Sequence, residues 1–320
     1  MKPEILVTVP LYGPTLAELE REYTAHKLWV AGDPDAYLRK VAASVRGVVT
    51  TGLAGLARSR IESLPRLEII ACVGTPHGTV DLATAKTRGV VVTNTPDSIT
   101  ELVAELAMGL IIAVMRRICE TDRFVRAGKW RSGVAPMGTE VRGKACGIVG
   151  LGRIGRGVAK RAEACGMSVH YYGPNPKHDV SYPYHADLES MARLANCLVV
   201  TCPATPTTQN LIDARILDAL GPEGFLVNVA RGAVVDERAL IAALGEKRIA
   251  GAGLDVFRDE PRVPPDLIAM DSVVLTPHIG TSTREIREER GRKLLANLRA
   301  HFAGKPAINP VSAEPVNLQR

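Results

Sequence analysis

The chain has 320 residues, 46% of them apolar and 23% charged, with a formal net charge of +6. That length exceeds one ordinary hydrophobic core and suits two, and the composition is that of a globular chain. No apolar run reaches the roughly 18–20 residues of a membrane span and no Lys/Arg block appears, so no membrane and no nucleic acid is expected as a partner, and the positive excess suits small anionic ligands.

In chain order, the apolar β-branched runs "EILVTVP" (4–10), "RGVVTTG" (46–52), "LEIIACVG" (67–74) and "GVVVTNTP" (89–96) come first. A helix over residues 101–118 follows. It is apolar almost all round, which predicts burial on every side, as at a domain crossing or a subunit interface. Between residues 145 and 278 come "ACGIVGLG", "SVHYYG", "CLVVTC", "FLVNVA", "AGAGLDV" and "VVLTPH", with helical stretches such as "GRGVAKRAEACG" and "ERALIAALGEKRI" interposed. Runs that are apolar throughout, not alternating, are strands covered on both faces. The pattern predicts an α/β protein of two doubly wound parallel-sheet domains, Rossmann- and flavodoxin-like, with four or five strands in the first and six in the second.

After His278 the chain offers one long helix, "REIREERGRKLLANLRAHFAG", which cannot be a domain and is expected to pack back on the first unit. The expected division is a discontinuous substrate-binding domain, residues 1–100 plus 282–320, and a dinucleotide-binding domain, residues 101–281. The crossings fall near Thr100 and Ser282, with a cleft between the lobes. Six cysteines without CxxC or metal-ligand spacing read as reduced thiols, and no metal is expected. "MKPEILVTVP" enters a strand directly with no leader pattern, so a cytoplasmic location is the expectation.

"GIVGLGRIG" sets Gly150, Gly152 and Gly155 in GxGxxG spacing, with Leu151, Arg153 and Ile154 between them. Alone this is weak, but here it follows the apolar run "ACGIV" and opens a helical segment, the context of a dinucleotide-binding turn. Gly150 permits the tight turn, Gly152 lets backbone approach a pyrophosphate, and Gly155 lets helix and strand pack closely. The helix N-terminus presents free N–H groups to phosphate, and Arg153 either adds a charge there or faces solvent.

The next strand ends at Gly173, close to where an Asp or Glu ordinarily binds the ribose hydroxyls. Neither occurs between Ser168 and His178; Gly173, Asn175, Lys177 and His178 stand there instead. A carboxylate would repel a 2′-phosphate, so its absence points to NADPH as the preferred cofactor. NADH remains possible if Lys177 merely faces water, with Asp179 one step late.

Ligands bind beyond the carboxyl ends of strands in such sheets. Arg231 follows "FLVNVA", Asp255 and Glu260 follow "AGAGL", and His278 follows "VVLTP". A guanidinium holds a carboxylate by two parallel hydrogen bonds, and an imidazole exchanges protons near neutrality. Glu260 can accept from the other ring nitrogen of His278 and so fix its tautomer. Each has an ordinary structural alternative, but the trio beside a dinucleotide turn reads as catalytic.

The motifs "GIVGLGRIG", "CPATPTTQNLID", "LVNVARGAVVDERAL", "GAGLDVFRDEP" and "LTPHIGTST" together resemble, in order and spacing, the D-isomer-specific 2-hydroxyacid dehydrogenases over nearly the whole chain. The glyoxylate/hydroxypyruvate reductase branch is the nearest likeness. The resemblance implies that Arg231 grips the substrate, that His278 donates the proton in reduction with Glu260 as its partner, and that Asp255 orients the nicotinamide ring. It further implies that Cys202, Pro203, Thr207, Val229, Ala230 and Gly280 line the cofactor. Leu53 and Ala54 in the loop 50–56, and backbone amides at Val73 and Gly74, would meet the substrate. The implied activity is NADPH-dependent reduction of a small 2-oxo acid to the D-2-hydroxy acid, and the implied assembly is a homodimer.

Two departures from the family pattern stand out. The acidic cofactor residue is absent, and "CVGTPHGTVDL" is longer than the common form, placing His77 near the site and leaving substrate size open. Trp130 reads either as a side chain reaching a partner's pocket or as a packing aromatic. The alternatives are an NAD-dependent dehydrogenase of a larger D-2-hydroxy acid and a nucleotide-sensing corepressor-like binding protein. Formate-oxidising relatives, with Gln in place of Glu260, and phosphoglycerate dehydrogenases, with a C-terminal extension, fit less well.

Overall fold

The computed structural model describes residues 2–74, 79–96 and 99–311. His77 lies outside the described residues. Two compact units divide the chain: Met1–Ser98 with Ser282–Arg320, and Ile99–Thr281.

The first unit runs β1 Glu4–Val7, α1 Gly13–Glu22, β2 Thr24–Lys27, α2 Pro34–Val41, β3 Val45–Thr51, α3 Arg58–Glu62, β4 Ile69–Val73, α4 Leu82–Thr87 and β5 Val91–Thr93. Its strands form one parallel sheet in the order β2-β1-β3-β4-β5, the flavodoxin-type order. The strand β2 is absent from the sequence reading because "TAHK" is polar and lies on the sheet edge. Asp33 and Asp81 start α2 and α4 by accepting backbone N–H bonds, which relieves donors that have no partner inside the helix.

The second unit runs α5 Thr100–Met115, α6 Ile118–Arg126, β6 Ala145–Val149, α7 Arg153–Ala164, β7 Ser168–Tyr172, β8 Tyr184–His185, α8 Leu188–Leu194, β9 Cys197–Val200, α9 Ala214–Leu220, β10 Phe225–Asn228, α10 Glu237–Gly245, β11 Gly251–Leu254, α11 Pro265–Ala269 and β12 Val273–Leu275. Its parallel sheet has the order β12-β11-β10-β9-β6-β7-β8, the dinucleotide-binding arrangement with the order reversing between β6 and β9. It holds one strand more than the six expected, the two-residue β8. Apolar side chains cover this sheet on both faces, which is why its strands are apolar throughout.

The long apolar helix departs from expectation in two ways. It stops at Met115, and α6 begins after Arg117, which takes the left-handed conformation at φ 54°. Nor is it buried on every side: Glu101, Glu105 and Gly109 are exposed along one stripe while Val103, Ala104, Ala107, Met108 and Ile111 are buried opposite.

The last helix, α12 Arg284–Phe302, belongs to the first unit. Its Leu294, Leu295 and Leu298 pack with Ile5, Val49, Ile69 and Ala71 of the sheet. Deleting one such leucine side chain costs about 2–5 kcal/mol. All six cysteines are free. Among the described residues no helix is long and apolar enough to cross a membrane, and no cluster of His, Cys, Asp or Glu could hold a metal.

Candidate active site

The glycine turn sits where the strand order of the second sheet reverses. Gly150 has φ 99°, and a Cβ there would come within 2.8 Å of the Cys202 backbone on the turn after β9. Thr201 Oγ1 donates to the Gly150 carbonyl at 2.7 Å, sealing the two turns together. A Cβ on Gly155 would meet that same carbonyl at 2.4 Å, whereas one on Gly152 would meet nothing within 4 Å. Two of the three glycines are therefore demanded by packing, and the third leaves backbone open to a ligand. No side chain caps α7 at Gly152, so its first N–H groups are available to an anion. This open cradle fits the pyrophosphate of a nicotinamide dinucleotide.

Leu151 is buried, Ile154 half-buried and Arg153 exposed beside the turn. Gly173, Asn175 and Lys177 follow β7, with Asn175 and Lys177 exposed. Asp179, one step beyond, is paired with α7, where Arg156 donates to its Oδ1 at 2.8 Å. That guanidinium holds the Asp179 carboxyl below its ordinary value of 3.8. Cys202, Val229 and Ala230 are buried at the ends of β9 and β10, while Pro203 and Thr207 are exposed on the loop between them. Burial pushes the Cys202 thiol up to about 11, so at neutral pH it is a neutral thiol and no nucleophile.

A histidine–carboxylate pair is formed by two loops of the second unit. His278 Nδ1 lies 2.7 Å from Glu260 Oε2, and Phe257 N–H donates to Glu260 Oε1 at 3.0 Å. With Nδ1 directed at the carboxylate, Nε2 is the ring nitrogen left for a substrate. His278 itself adopts φ 52°, a conformation disfavoured for a side-chain-bearing residue and held here by Asp255. Asp255 is 2% exposed. Its Oδ1 accepts from Thr276 Oγ1 (2.6 Å) and Ile279 N–H (2.8 Å), its Oδ2 from Gly280 N–H (3.0 Å), and its carbonyl from His278 N–H (2.9 Å). The buried carboxylate thus fastens the histidine loop to β11.

Arg231 is exposed on the turn after β10. Buried Asn228 shapes that turn, accepting from Ala230 N–H at 3.0 Å and donating to the Arg231 carbonyl at 3.1 Å. One guanidinium N–H of Arg231 donates to the Ala230 carbonyl at 2.6 Å. A Cβ on Gly232 would lie 2.0 Å from the Phe257 carbonyl carbon, so the Arg231 and Glu260 loops pack backbone to backbone. Asn228, Thr276 and Gly232 escaped the sequence reading. The available signal was a lone Asn closing an apolar strand and a Gly directly after an Arg.

The first unit carries the other candidates at the carboxyl ends of its own strands. Leu53 (85% exposed) and Ala54 lie on the loop after β3. Val73 ends β4, and its carbonyl accepts from Gly52 N–H at 3.0 Å. Gly74 N–H already donates to Thr95 Oγ1 at 2.8 Å, so that amide serves a substrate only by giving up Thr95. Trp130 is 69% exposed.

The family model of the D-isomer specific 2-hydroxyacid dehydrogenase NAD-binding domain matches residues 108–280. A glyoxylate/hydroxypyruvate reductase of Arabidopsis thaliana is 43% identical over 307 residues, 96% of this chain and 98% of that protein. A hydroxyphenylpyruvate reductase of Plectranthus scutellarioides is also 43% identical over 96% of this chain and 98% of its own length. Among solved structures, the NADPH-dependent glyoxylate/hydroxypyruvate reductase of Sinorhizobium meliloti in complex with NADP and malonate superposes with a TM-score of 0.78 at 36% identity, covering 98% of this chain and 97% of that one.

Proposed function

Since the chain belongs to the D-isomer-specific 2-hydroxyacid dehydrogenase family and is an NAD(P)-dependent oxidoreductase, we propose that it reduces a small 2-oxo acid of the glyoxylate/hydroxypyruvate kind to the D-2-hydroxy acid, with NADPH preferred. The observation that carries this reading is the His278–Glu260 pair at 2.7 Å on the same sheet edge as the open glycine cradle. When bound, the reduced nicotinamide dinucleotide supplies a hydride to the carbonyl carbon. Gly150, Gly152, Gly155 and the α7 N-terminus hold its phosphates, and Lys177 with Asn175 receives the 2′-phosphate. Arg231 binds the substrate carboxylate, and His278 Nε2 gives its proton to the carbonyl oxygen. Glu260 fixes the imidazole throughout, and Asp255 holds the loop in register for the nicotinamide.

Initial rates with NADPH and NADH, each against glyoxylate and hydroxypyruvate, test the reading. Faster turnover with NADPH is expected, and equal or faster turnover with NADH would remove the cofactor assignment. The hydroxyphenylpyruvate-reducing relative favours a second reading, an aromatic 2-oxo acid as substrate. A higher kcat/KM for hydroxyphenylpyruvate than for glyoxylate would establish it.

We also assign a homodimer. Ile118, Val125, Trp130, Val134 and Met137 are 49–94% exposed within twenty residues of chain, apolar surface that a second copy would cover. Sedimentation at two concentrations reads the assembly directly.

A further inference from the structure

Each end of the loop that replaces the usual cofactor acid is gripped by a tyrosine. Tyr171 and Tyr184 are register partners on β7 and β8, with ring centroids 5.4 Å apart. Tyr171 is 1% exposed among the apolar side chains beneath the sheet, and Tyr184 packs against the same cluster. The Lys177 backbone N–H donates to the Tyr171 hydroxyl oxygen at 2.6 Å, six residues along the chain. The Tyr184 hydroxyl donates to the Gly173 carbonyl at 3.1 Å. Between those two anchors the chain reads Gly-Pro-Asn-Pro-Lys, and its two prolines fix φ on either side of Asn175. Beyond it, Arg156 pairs with Asp179 at 2.8 Å.

We propose that the Tyr171 and Tyr184 hydroxyls are specificity-determining positioning groups, which hold residues 173–177 in the shape that presents Asn175 and Lys177 to the cofactor's 2′ position. The proposal rests on the reading of that loop as the 2′-phosphate site. Neither hydroxyl touches the reacting atoms. Pre-ordering removes the entropy that a slack loop would lose on binding, and only a ligand group contacted by the loop gains from it.

The test is the Kd of NADPH and of NADH for the full-length protein, followed by nicotinamide fluorescence, in wild type, Tyr171→Phe, Tyr184→Phe and Lys177→Ala. Loss of one loop hydrogen bond should weaken NADPH roughly three- to tenfold while NADH and kcat at saturating NADPH stay near wild type. Adding Tyr171→Phe to Lys177→Ala should change the NADPH/NADH ratio less than Tyr171→Phe does alone, because only Asn175 is then left to position. Should Tyr171→Phe fold poorly, the half-buried Tyr184→Phe carries the same test alone. An unchanged ratio in the folded tyrosine variants, or equal weakening of both cofactors, overturns the proposal. A wild type that prefers NADH overturns the NADPH reading separately, since the clamp is judged by whether its removal moves the ratio.

Discussion

The two units share one architecture, a parallel sheet with helices on both faces, yet they use buried polar groups differently. In the first, buried Asn297 on α12 accepts from Ile308 and Asn309 N–H and donates to the Asn94 carbonyl, tying down a chain end. In the second, Asn228 and Asp255 each shape the turn that bears a proposed chemical group, Arg231 or His278. The contrast shows why fold alone does not announce activity: what separates the two units is which segments their buried polar side chains hold.

Three experiments would break or sharpen that comparison. The largest effect is expected from His278→Gln in the second unit, with kcat/KM falling roughly 10²- to 10⁴-fold as proton donation is removed. Steady-state assays that found less than a tenfold loss would put the chemistry elsewhere. Next come two glycines. Gly232→Ala forces a Cβ to 2.0 Å from Phe257 backbone and should cost at least about 2–3 kcal/mol with loss of activity. Gly74→Ala, at φ 81° with nothing among the described residues within 4 Å, should meet chiefly the left-handed penalty of about 1–2 kcal/mol. Urea midpoints read both, and a Gly74 variant as damaging as the Gly232 variant would erase the distinction.

The smallest effect is a difference in acid sensitivity. His170 Nδ1 lies 3.1 Å from His185 Nε2, and burial, with the neighbouring His185, lowers His170 from its ordinary 6.5. The folded chain therefore binds fewer protons than the unfolded chain just below 6.5. Stability of the second unit should fall as pH drops through that window and level off beneath the lowered value. In the first unit the shifted groups that titrate in acid are carboxylates. Glu4 is lowered by the Ser44 hydroxyl and His26, Glu22 and Glu68 by Arg299 and Arg46, all from 4.5. Their contribution is present above 4.5 and lost only at lower pH. Hydrogen exchange resolved by peptide should show the second unit loosening first on acidification, and simultaneous loosening would refute the assignment.

Much of this was legible in sequence because its signals are local. An apolar run that ends in a polar or glycine residue marks a strand end, and this found Gly150, Arg231, Asp255, Glu260 and His278. What escaped depends on contacts between distant residues or on the absence of apolar pattern. The strand β2 is polar, and β8 has only two residues. The break between α5 and α6 falls on an arginine in a left-handed conformation, where neither Gly nor Pro warned of it. Gly74 illustrates the opposite case: the family resemblance alone assigns its amide to the substrate, and its bond to Thr95 exists only once β4 and β5 are side by side.

The place of α12 has a consequence for how the protein is made. Strands β1 to β5 precede in the chain the α12 leucines that cover Ile5, Val49 and Ile69 by about 200 residues, so until α12 is made one face of the N-terminal sheet is covered only in part, by α1. The second unit, contiguous from Ile99 to Thr281, is already whole by then. Order of synthesis and order of completion therefore differ: the inserted unit has all its strands before the first unit has its last helix, and a chain ending before residue 284 would leave apolar side chains of the first sheet uncovered.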